Sequence, residues 1–396
     1  MPMPKPDTLL AHAGRAPEAY AGMVNTPVFR TSTVIHPTIE SYEAPRDLMK
    51  KPVSYGRHGT PTTFAFEEAV ARLEGAHQAV ATPNGLSAIV VALLAVLKPG
   101  QHLLVADSAY SPARGFCDRR LVPLGIEVEY YDPLIGAGIA GLLRENTGAV
   151  FCESPGSLTF EMQDIPAIAA AAHARDIPVL ADNTWVTPYF ASPFELGVDI
   201  SIHAGTKYIG GHSDLMIGVV ATNERYWKPV RQTVYDYAYS VSPDDCYQAL
   251  RGLRTLGVRL RQHERNALQV ARWLEAQPEV SRVLYPALES DPGHALWKRD
   301  YRGASGLFSV VLKPVDDAAL ARFADGLKLF GIGSSWGGFE SLITVVHAAA
   351  YRTATRWQPE GPAVRLHIGL EDPADLIADL RQGLDLLQDG KAAAHG

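Results

Sequence analysis

The chain has 396 residues, 47% of them hydrophobic and 20% charged, the composition of a water-soluble globular protein too long for one ordinary core. Its net charge of −7 comes without blocks of like charge, which argues against a nucleic-acid footprint or a polybasic membrane patch and for a small-molecule partner. The longest apolar run, Ala88–Leu97, is about half of the ~20 residues a membrane-crossing helix needs.

Met1–Leu10 has no secretory pattern, and residues 1–60 are rich in Pro, Thr and polar residues without sustained periodicity. They read as an arm that crosses a neighbouring subunit. From Thr63 the pattern is α/β, and 61–245 is predicted as one domain. Phe66, Val70 and Leu73 fall at helical spacing, with Gly75 able to close the helix in the left-handed conformation. Strands are predicted at Ala79–Ala81, Leu103–Ala106, Ala149–Cys152, Val179–Ala181, Ile200–Ile202 and Ile217–Ala221, with helices at Leu86–Leu97 and Ile165–Ala174 between them. That alternation predicts a mainly parallel sheet with helices on both faces. From about Cys246 the texture changes to a long amphipathic helix, Tyr247–Ala276. Strands follow at Gly306–Leu312, Leu342–His347 and Ala363–Ile368, with helices at Asp316–Leu327 and Pro373–Leu387. Residues 246–396 are therefore predicted as a smaller α+β domain ending in a low-complexity tail, Lys391–Gly396. Three scattered cysteines, Cys117, Cys152 and Cys246, read as reduced core thiols of a cytoplasmic protein. The thirteen histidines show no metal-ligand spacing, so no metal is expected.

Four segments carry candidate chemistry. Asp199-Ile-Ser-Ile-His-Ala-Gly-Thr-Lys-Tyr-Ile-Gly-Gly-His-Ser213 places Lys207 just beyond an apolar strand, between small residues and a Gly-Gly turn, where an aldehyde can reach its amine. On spacing alone it is also an ordinary surface lysine. Ile177-Pro-Val-Leu-Ala-Asp-Asn-Thr-Trp185 ends a strand on Asp182, which either pairs with a protonated ring nitrogen on the ligand-binding edge of the sheet or caps a turn. Thr82-Pro-Asn-Gly-Leu-Ser-Ala88 opens an apolar helix. Gly85 permits close approach there, and the amides of Leu86 and Ser87 offer an anion site, or simply a helix start. Tyr110 follows the strand ending at Ala106, placed to stack on a flat cofactor.

Together with Tyr55-Gly-Arg57, Glu153-Ser-Pro, Asp182-Asn-Thr, Arg251-Gly-Leu-Arg-Thr-Leu-Gly257 and Arg365-Leu-His-Ile-Gly-Leu-Glu371, these segments resemble the Cys/Met-metabolism (trans-sulfuration) family of pyridoxal-phosphate enzymes over nearly the whole chain. The resemblance implies the aspartate-aminotransferase-like fold, type I among pyridoxal-phosphate folds. It implies that Lys207 holds pyridoxal 5′-phosphate covalently and moves protons. Asp182 would pair with the ring nitrogen and Tyr110 would stack on the ring. Gly85, Leu86 and Thr206 would bind the phosphate. Tyr55 and Arg57 would reach the phosphate of the neighbouring subunit's cofactor, in a homotetramer built from dimers that share active sites. Arg365 would clamp the carboxylate of an amino-acid substrate.

Within the family, three details favour members that break a Cβ–S bond. Trp336 in Ser334-Ser-Trp-Gly-Gly-Phe-Glu-Ser341 stands where γ-specific members have Leu, Glu153-Ser-Pro-Gly-Ser157 replaces their Glu-Ser-Pro-Thr-Asn, and Ala204 replaces their Ser. Tyr131-Asp-Pro-Leu-Ile-Gly136, Lys298-Arg-Asp300 and Tyr235, at a substrate-site tyrosine position, agree with them. Ser335, Trp336 and Tyr235 are accordingly candidate substrate contacts. Departures are Asn84-Gly-Leu-Ser87 in place of Cys-Gly-Ala-Ala, and Ser111 where an acidic residue is familiar, which bears on the distal end of the substrate. The implied reaction is β-elimination of L-cystathionine to L-homocysteine, pyruvate and ammonia, with cysteine or cystine as further substrates. A γ-type activity is the alternative within the family, and a non-catalytic binder of a phosphorylated ligand the alternative outside it. His203 and His212 are expected to be packing or hydrogen-bonding residues, and Arg251 and Arg254 ion-pair partners.

Overall fold

The computed structural model describes residues 4–387, so the Lys391–Gly396 tail lies outside the described residues. Seven strands form the larger sheet: β1 Gln78–Thr82, β2 His102–Ala106, β3 Glu127–Tyr131, β4 Thr147–Glu153, β5 Val179–Asp182, β6 Ile200–His203 and β7 Gly218–Thr222. Their order is β1-β7-β6-β5-β4-β2-β3, parallel except that β7 runs antiparallel to both neighbours. β2, β6 and β7 are buried along their full length, which is why they read as unbroken apolar runs: helices cover both faces. The strand missed by the sequence reading, β3, carries Glu127 and Glu129 toward Arg144 at the sheet edge, where a solvated strand loses the apolar signature.

The smaller sheet has the order β10-β11-β12-β9-β8, from β8 Val280–Leu284, β9 Leu307–Leu312, β10 Gly331–Ile332, β11 Leu342–Val346 and β12 Ala363–His367. Two of these were also missed. β8 lies at an edge and exposes Ser281 and Arg282, and β10 has only two residues. β12, antiparallel to β9 and β11, puts Arg365 at the centre of the sheet.

Pro61–Glu74 is capped by the Thr60 hydroxyl and closed by Gly75 at φ 71°, and its Phe66 and Val70 are fully buried. The long helix spans Pro243–Glu275, starting before the predicted Tyr247. Ser242 caps it, Pro243 opens its first turn, and Asp244 and Asp245 complement its dipole there. This helix touches both sheets' surroundings. Arg259 reaches the Ile209 carbonyl behind the Lys207 segment, while His263 and Asn266 bond the Ile368, Gly369 and Glu371 carbonyls after β12. Arg254 is not an ion-pair partner: its guanidinium donates to the carbonyls of Leu10 (2.6 Å) and Ala13 (2.9 Å). Those bonds anchor the start of the N-terminal segment, where Leu9, Leu10 and Ala13 are buried. Beyond it the segment leaves Met23, Val24, Ile35, Ile39 and Tyr42 exposed. The three cysteines are free and buried, and no helix among the described residues is long and apolar enough to cross a membrane.

Gly252 marks the closest approach of the long helix to the lysine segment, since an added Cβ would lie 2.2 Å from the Ile209 carbonyl oxygen and 2.7 Å from that of Gly210. Gly252→Ala should therefore lower unfolding stability by about 1–3 kcal/mol, the cost of overpacking rigid backbone. Denaturant titration checks this, and a loss below about 0.5 kcal/mol contradicts so tight a contact.

Candidate active site

The carboxyl ends of β4, β5 and β6 face the centre of the smaller sheet, and between them lies a cavity of about 180 Å³. This is where open α/β sheets bind ligands, because strand ends and helix starts leave polar groups facing one crevice. Its walls include Asn84, Gly85, Leu86, Tyr110, Glu153, Asp182, Thr184, Thr206, Lys207, Trp336 and Arg365.

Lys207 lies after β6 in a tight turn, its amide donating to the Ala204 carbonyl. Its ammonium donates to Ser335 Oγ at 2.6 Å and sits 5.3 Å from the centre of the Trp336 ring. Partial burial, assisted by the nearby Arg365 cation, pulls its pKa down to about 8, against a smaller opposing pull from Asp182. A lysine so poised has a substantial neutral fraction near pH 7–8, as a nucleophile or base requires.

Asp182 and Glu153 are opposite each other in register at the ends of β5 and β4. Burial raises the pKa of both. In Glu153 the Asp182 charge adds to the effect, and its pKa is pushed well above the usual carboxylate range. Two hydrogen bonds from Thr184, from its amide at 2.9 Å and its hydroxyl at 2.5 Å, counter the rise at Asp182 and favour its charged form. Glu153 accepts the Tyr110 amide at 2.6 Å, which sets that residue at the cleft mouth. The Tyr110 hydroxyl is held above its ordinary pKa, first by burial and then by the two carboxylates. Arg365, buried in β12, donates to the Ser334 carbonyl at 3.3 Å, and desolvation lowers its pKa to about 10.

At the other end of the cleft the helix Gly85–Val96 begins. Asn84 and Ser87 form a reciprocal cap, with the Ser87 amide bound to Asn84 Oδ1 at 2.9 Å. Ser87 is thus not the free donor expected of it, and the Gly85 and Leu86 amides are the ones whose position leaves them without helical acceptors. Gly85 is required by packing: a Cβ there would lie 2.5 Å from that of Ala204, in the lysine segment. The Thr206 hydroxyl bonds to the Ile217 backbone, accepting at 3.0 Å and donating at 3.2 Å, so binding an anion would redirect its proton.

These groups fit pyridoxal 5′-phosphate. Two unpaired helix amides and a threonine hydroxyl suit a phosphate, a lysine of lowered pKa suits an aldehyde, and Tyr110 offers a flat wall. Asp182 has no ion-pair partner among the described residues, and a half-buried carboxylate of that kind suits a protonated ring nitrogen.

The structure brings Lys207, Asp182, Tyr110, Gly85, Leu86, Thr206, Ser335, Trp336 and Arg365 together. Tyr55, Arg57 and Tyr235 form a separate group in the same chain. Arg57 donates to the Tyr235 carbonyl at 2.9 Å and stacks on its ring at 4.6 Å, while Tyr55 is 46% exposed. His203 is buried against Glu74 and Ser201, and His212 bonds the Gly210 carbonyl at 2.8 Å, the hydrogen-bonding roles expected of them. Sequence reasoning gave Glu153 and Thr184 no role, although both stand in quoted motifs. Only strand register shows that Glu153 faces Asp182, and only the fold shows that Thr184 Oγ1 also accepts the Ala204 amide at 2.9 Å.

Fold and site thus define a type I pyridoxal-phosphate enzyme. The profile of the family described as "Cys/Met metabolism PLP-dependent enzyme" matches residues 7–385, and the chain belongs to that family. It is 49% identical over 382 residues to a "Putative cystathionine beta-lyase" of Rhizobium johnstonii, covering 95% of both chains. To "Cystathionine beta-lyase MetC" of Escherichia coli it is 44% identical over 386 residues, 96% of this chain and 98% of that one. The crystal structure of metB from Corynebacterium glutamicum superposes with a TM-score of 0.89 at 32% identity, covering 97% of this chain and 98% of that one.

Thr184→Val keeps the shape but removes the hydroxyl that joins Asp182 to the Ala204 amide. Leaving that amide unpaired should cost about 1–3 kcal/mol of stability. With one hydrogen bond fewer, the Asp182 pKa rises and the cofactor should dissociate faster. Thermal unfolding together with the rate of loss of visible absorption on dilution tests both, and wild-type values in each remove Thr184 from this role.

Proposed function

We propose that the chain catalyses β-elimination of L-cystathionine to L-homocysteine, pyruvate and ammonia, and that cysteine and cystine are further substrates. The observation that carries this reading is the convergence of Lys207, Asp182, Arg365 and Trp336 on one cleft, together with relatives at 44–49% identity that bear the β-lyase name. When bound, pyridoxal phosphate supplies an electron sink that makes the substrate's Cα–H acidic.

The rest is the work of side chains. The Arg365 guanidinium takes the substrate α-carboxylate, which fixes Cα relative to Lys207. The Lys207 amine, once free, removes the Cα proton, and Asp182 stays charged to keep the ring nitrogen protonated. As the Cβ–S bond breaks, its electron pair leaves on sulfur, and a proton from Lys207 or from the Tyr110 hydroxyl neutralises the thiolate. The enamine that is released takes up water to give pyruvate and ammonia. Trp336, whose ring centre lies 5.3 Å from the Lys207 amine, stands where γ-specific members have Leu. This weighs against the γ-type alternative.

Tyr55, Arg57 and Tyr235 are proposed to complete the cleft of a neighbouring subunit in a homotetramer. Support comes from their position away from their own chain's cleft and from the exposed apolar side chains between Met23 and Tyr42. Three free, buried cysteines accord with a cytoplasmic setting.

Product analysis with L-cystathionine tests the reaction. Homocysteine and pyruvate are expected, whereas cysteine and 2-oxobutyrate would assign the γ-type chemistry. Lys207→Ala should abolish turnover. Arg365→Ala should raise KM roughly 10- to 100-fold, the worth of hydrogen bonds to a charged group. An unchanged KM would take Arg365 out of the substrate site.

A further inference from the structure

Lys207 is held by the turn Ser334–Ser341, and that turn is fastened from beneath by the segment that begins in β12. Ser335 accepts the Lys207 ammonium, and the Trp336 ring lies beside it. The next residue, Gly337, has φ 88°, and an added Cβ would lie 2.8 Å from the Lys207 carbonyl carbon and 2.9 Å from the Tyr208 nitrogen. The turn therefore presses on the lysine backbone as well as on its amine. Beneath Gly337 lies His367, 1% exposed, with Nε2 at 3.1 Å from both the Gly337 amide and the Gly338 carbonyl oxygen. Either neutral tautomer fastens the turn. A lone pair on Nε2 accepts the Gly337 N–H, and a proton there donates to the Gly338 carbonyl. Further along, the Leu370 amide bonds the Phe339 carbonyl at 2.8 Å and Glu371 bonds Ser341, which closes the far end of the turn.

We propose that His367 is a positioning residue: through the Gly337–Gly338 peptide it holds Ser335 and Trp336 against Lys207 and so sets the environment of the cofactor-holding amine. The proposal rests on the reading of Lys207 as that amine. The charged and titratable groups facing His367 are His263, Tyr208, Arg365 and Lys207; burial first, then the His263, Arg365 and Lys207 charges, pull its pKa down to about 3, so the ring is neutral near pH 7. Its Nδ1 has no hydrogen-bond partner, and neither has Nε2 of His263, so what sets His367 apart is its pair of contacts to the turn. His263 is the natural comparator. It is buried against the same Tyr208 ring at 5.3 Å and bonds the Ile368 carbonyl, with no bond to the turn.

Borohydride reduction of the holoenzyme followed by peptide mass spectrometry comes first, because a label away from Lys207 refutes the reading of the site rather than the role of His367. With the label on Lys207, the pH titration of the cofactor's visible absorption is compared in His367→Ala, His367→Leu, His367→Asn and His263→Ala. The Leu variant fills the space without a hydrogen bond should the Ala variant not fold. Loss of the fastening should move the absorption midpoint by roughly half a pH unit or more, about threefold in the equilibrium. It should lower kcat about tenfold with KM within about twofold. His367→Asn, whose amide can accept or donate, should recover most of both, and His263→Ala should leave the midpoint in place. A wild-type midpoint in the Ala and Leu variants, an equal shift in His263→Ala, or no recovery with Asn overturns the proposal.

Discussion

Desolvation of a lysine between unlike neighbours organises this molecule. The Lys207 amine lies close to an Arg365 cation that repels its charge and an Asp182 carboxylate that attracts it, and burial tips the balance toward the neutral amine. Neither neighbour comes from the same layer: Asp182 ends a strand of the larger sheet and Arg365 sits in the middle of the smaller one. The site therefore exists only when the two sheets are held at a set separation. The long helix Pro243–Glu275 supplies that constraint by bonding the lysine segment through Arg259 and the β12 exit chiefly through the two bonds of Asn266.

A second consequence of burial is the pairing of Glu153 with Asp182. Two half-buried carboxyls side by side raise each other's cost of ionisation, and the rise is the larger at Glu153 because Thr184 stabilises the charge on Asp182. The arrangement keeps a charged carboxylate ready for a ring nitrogen while Glu153 is spent on orienting Tyr110 through its amide. Hydrogen bonding thus sorts two identical chemistries into two tasks.

Much of this was legible beforehand. Central strands such as β2 and β6 announced themselves as unbroken apolar runs because both their faces are buried. The edge strands β3 and β8 did not, since half their side chains meet solvent and include charges. The Asp182 and Lys207 motifs pointed to a strand edge, and Gly85 was expected at a close backbone approach. Its close neighbour in the fold is the Ala204 backbone and side chain of the lysine segment. Ser87 misled because a free helix amide and a capped one look alike until Asn84 is seen to accept it.

What the linear order of residues determined by itself was the class of chemistry: a lysine after an apolar strand, a strand-end aspartate and a helix-opening glycine each have a bland reading alone, and it is their occurrence with the other ordered motifs that resembles the Cys/Met-metabolism family. The tertiary structure decided everything that depends on separation in space between residues far apart in the chain. That includes the lowered lysine pKa, the raised pKa of Glu153, the bonding of the Gly337–Gly338 peptide by His367 and the position of Tyr55, Arg57 and Tyr235 away from their own chain's cleft. The physical reason is that solvation and Coulomb energy depend on what surrounds a group, and those surroundings come into being only when the layers pack.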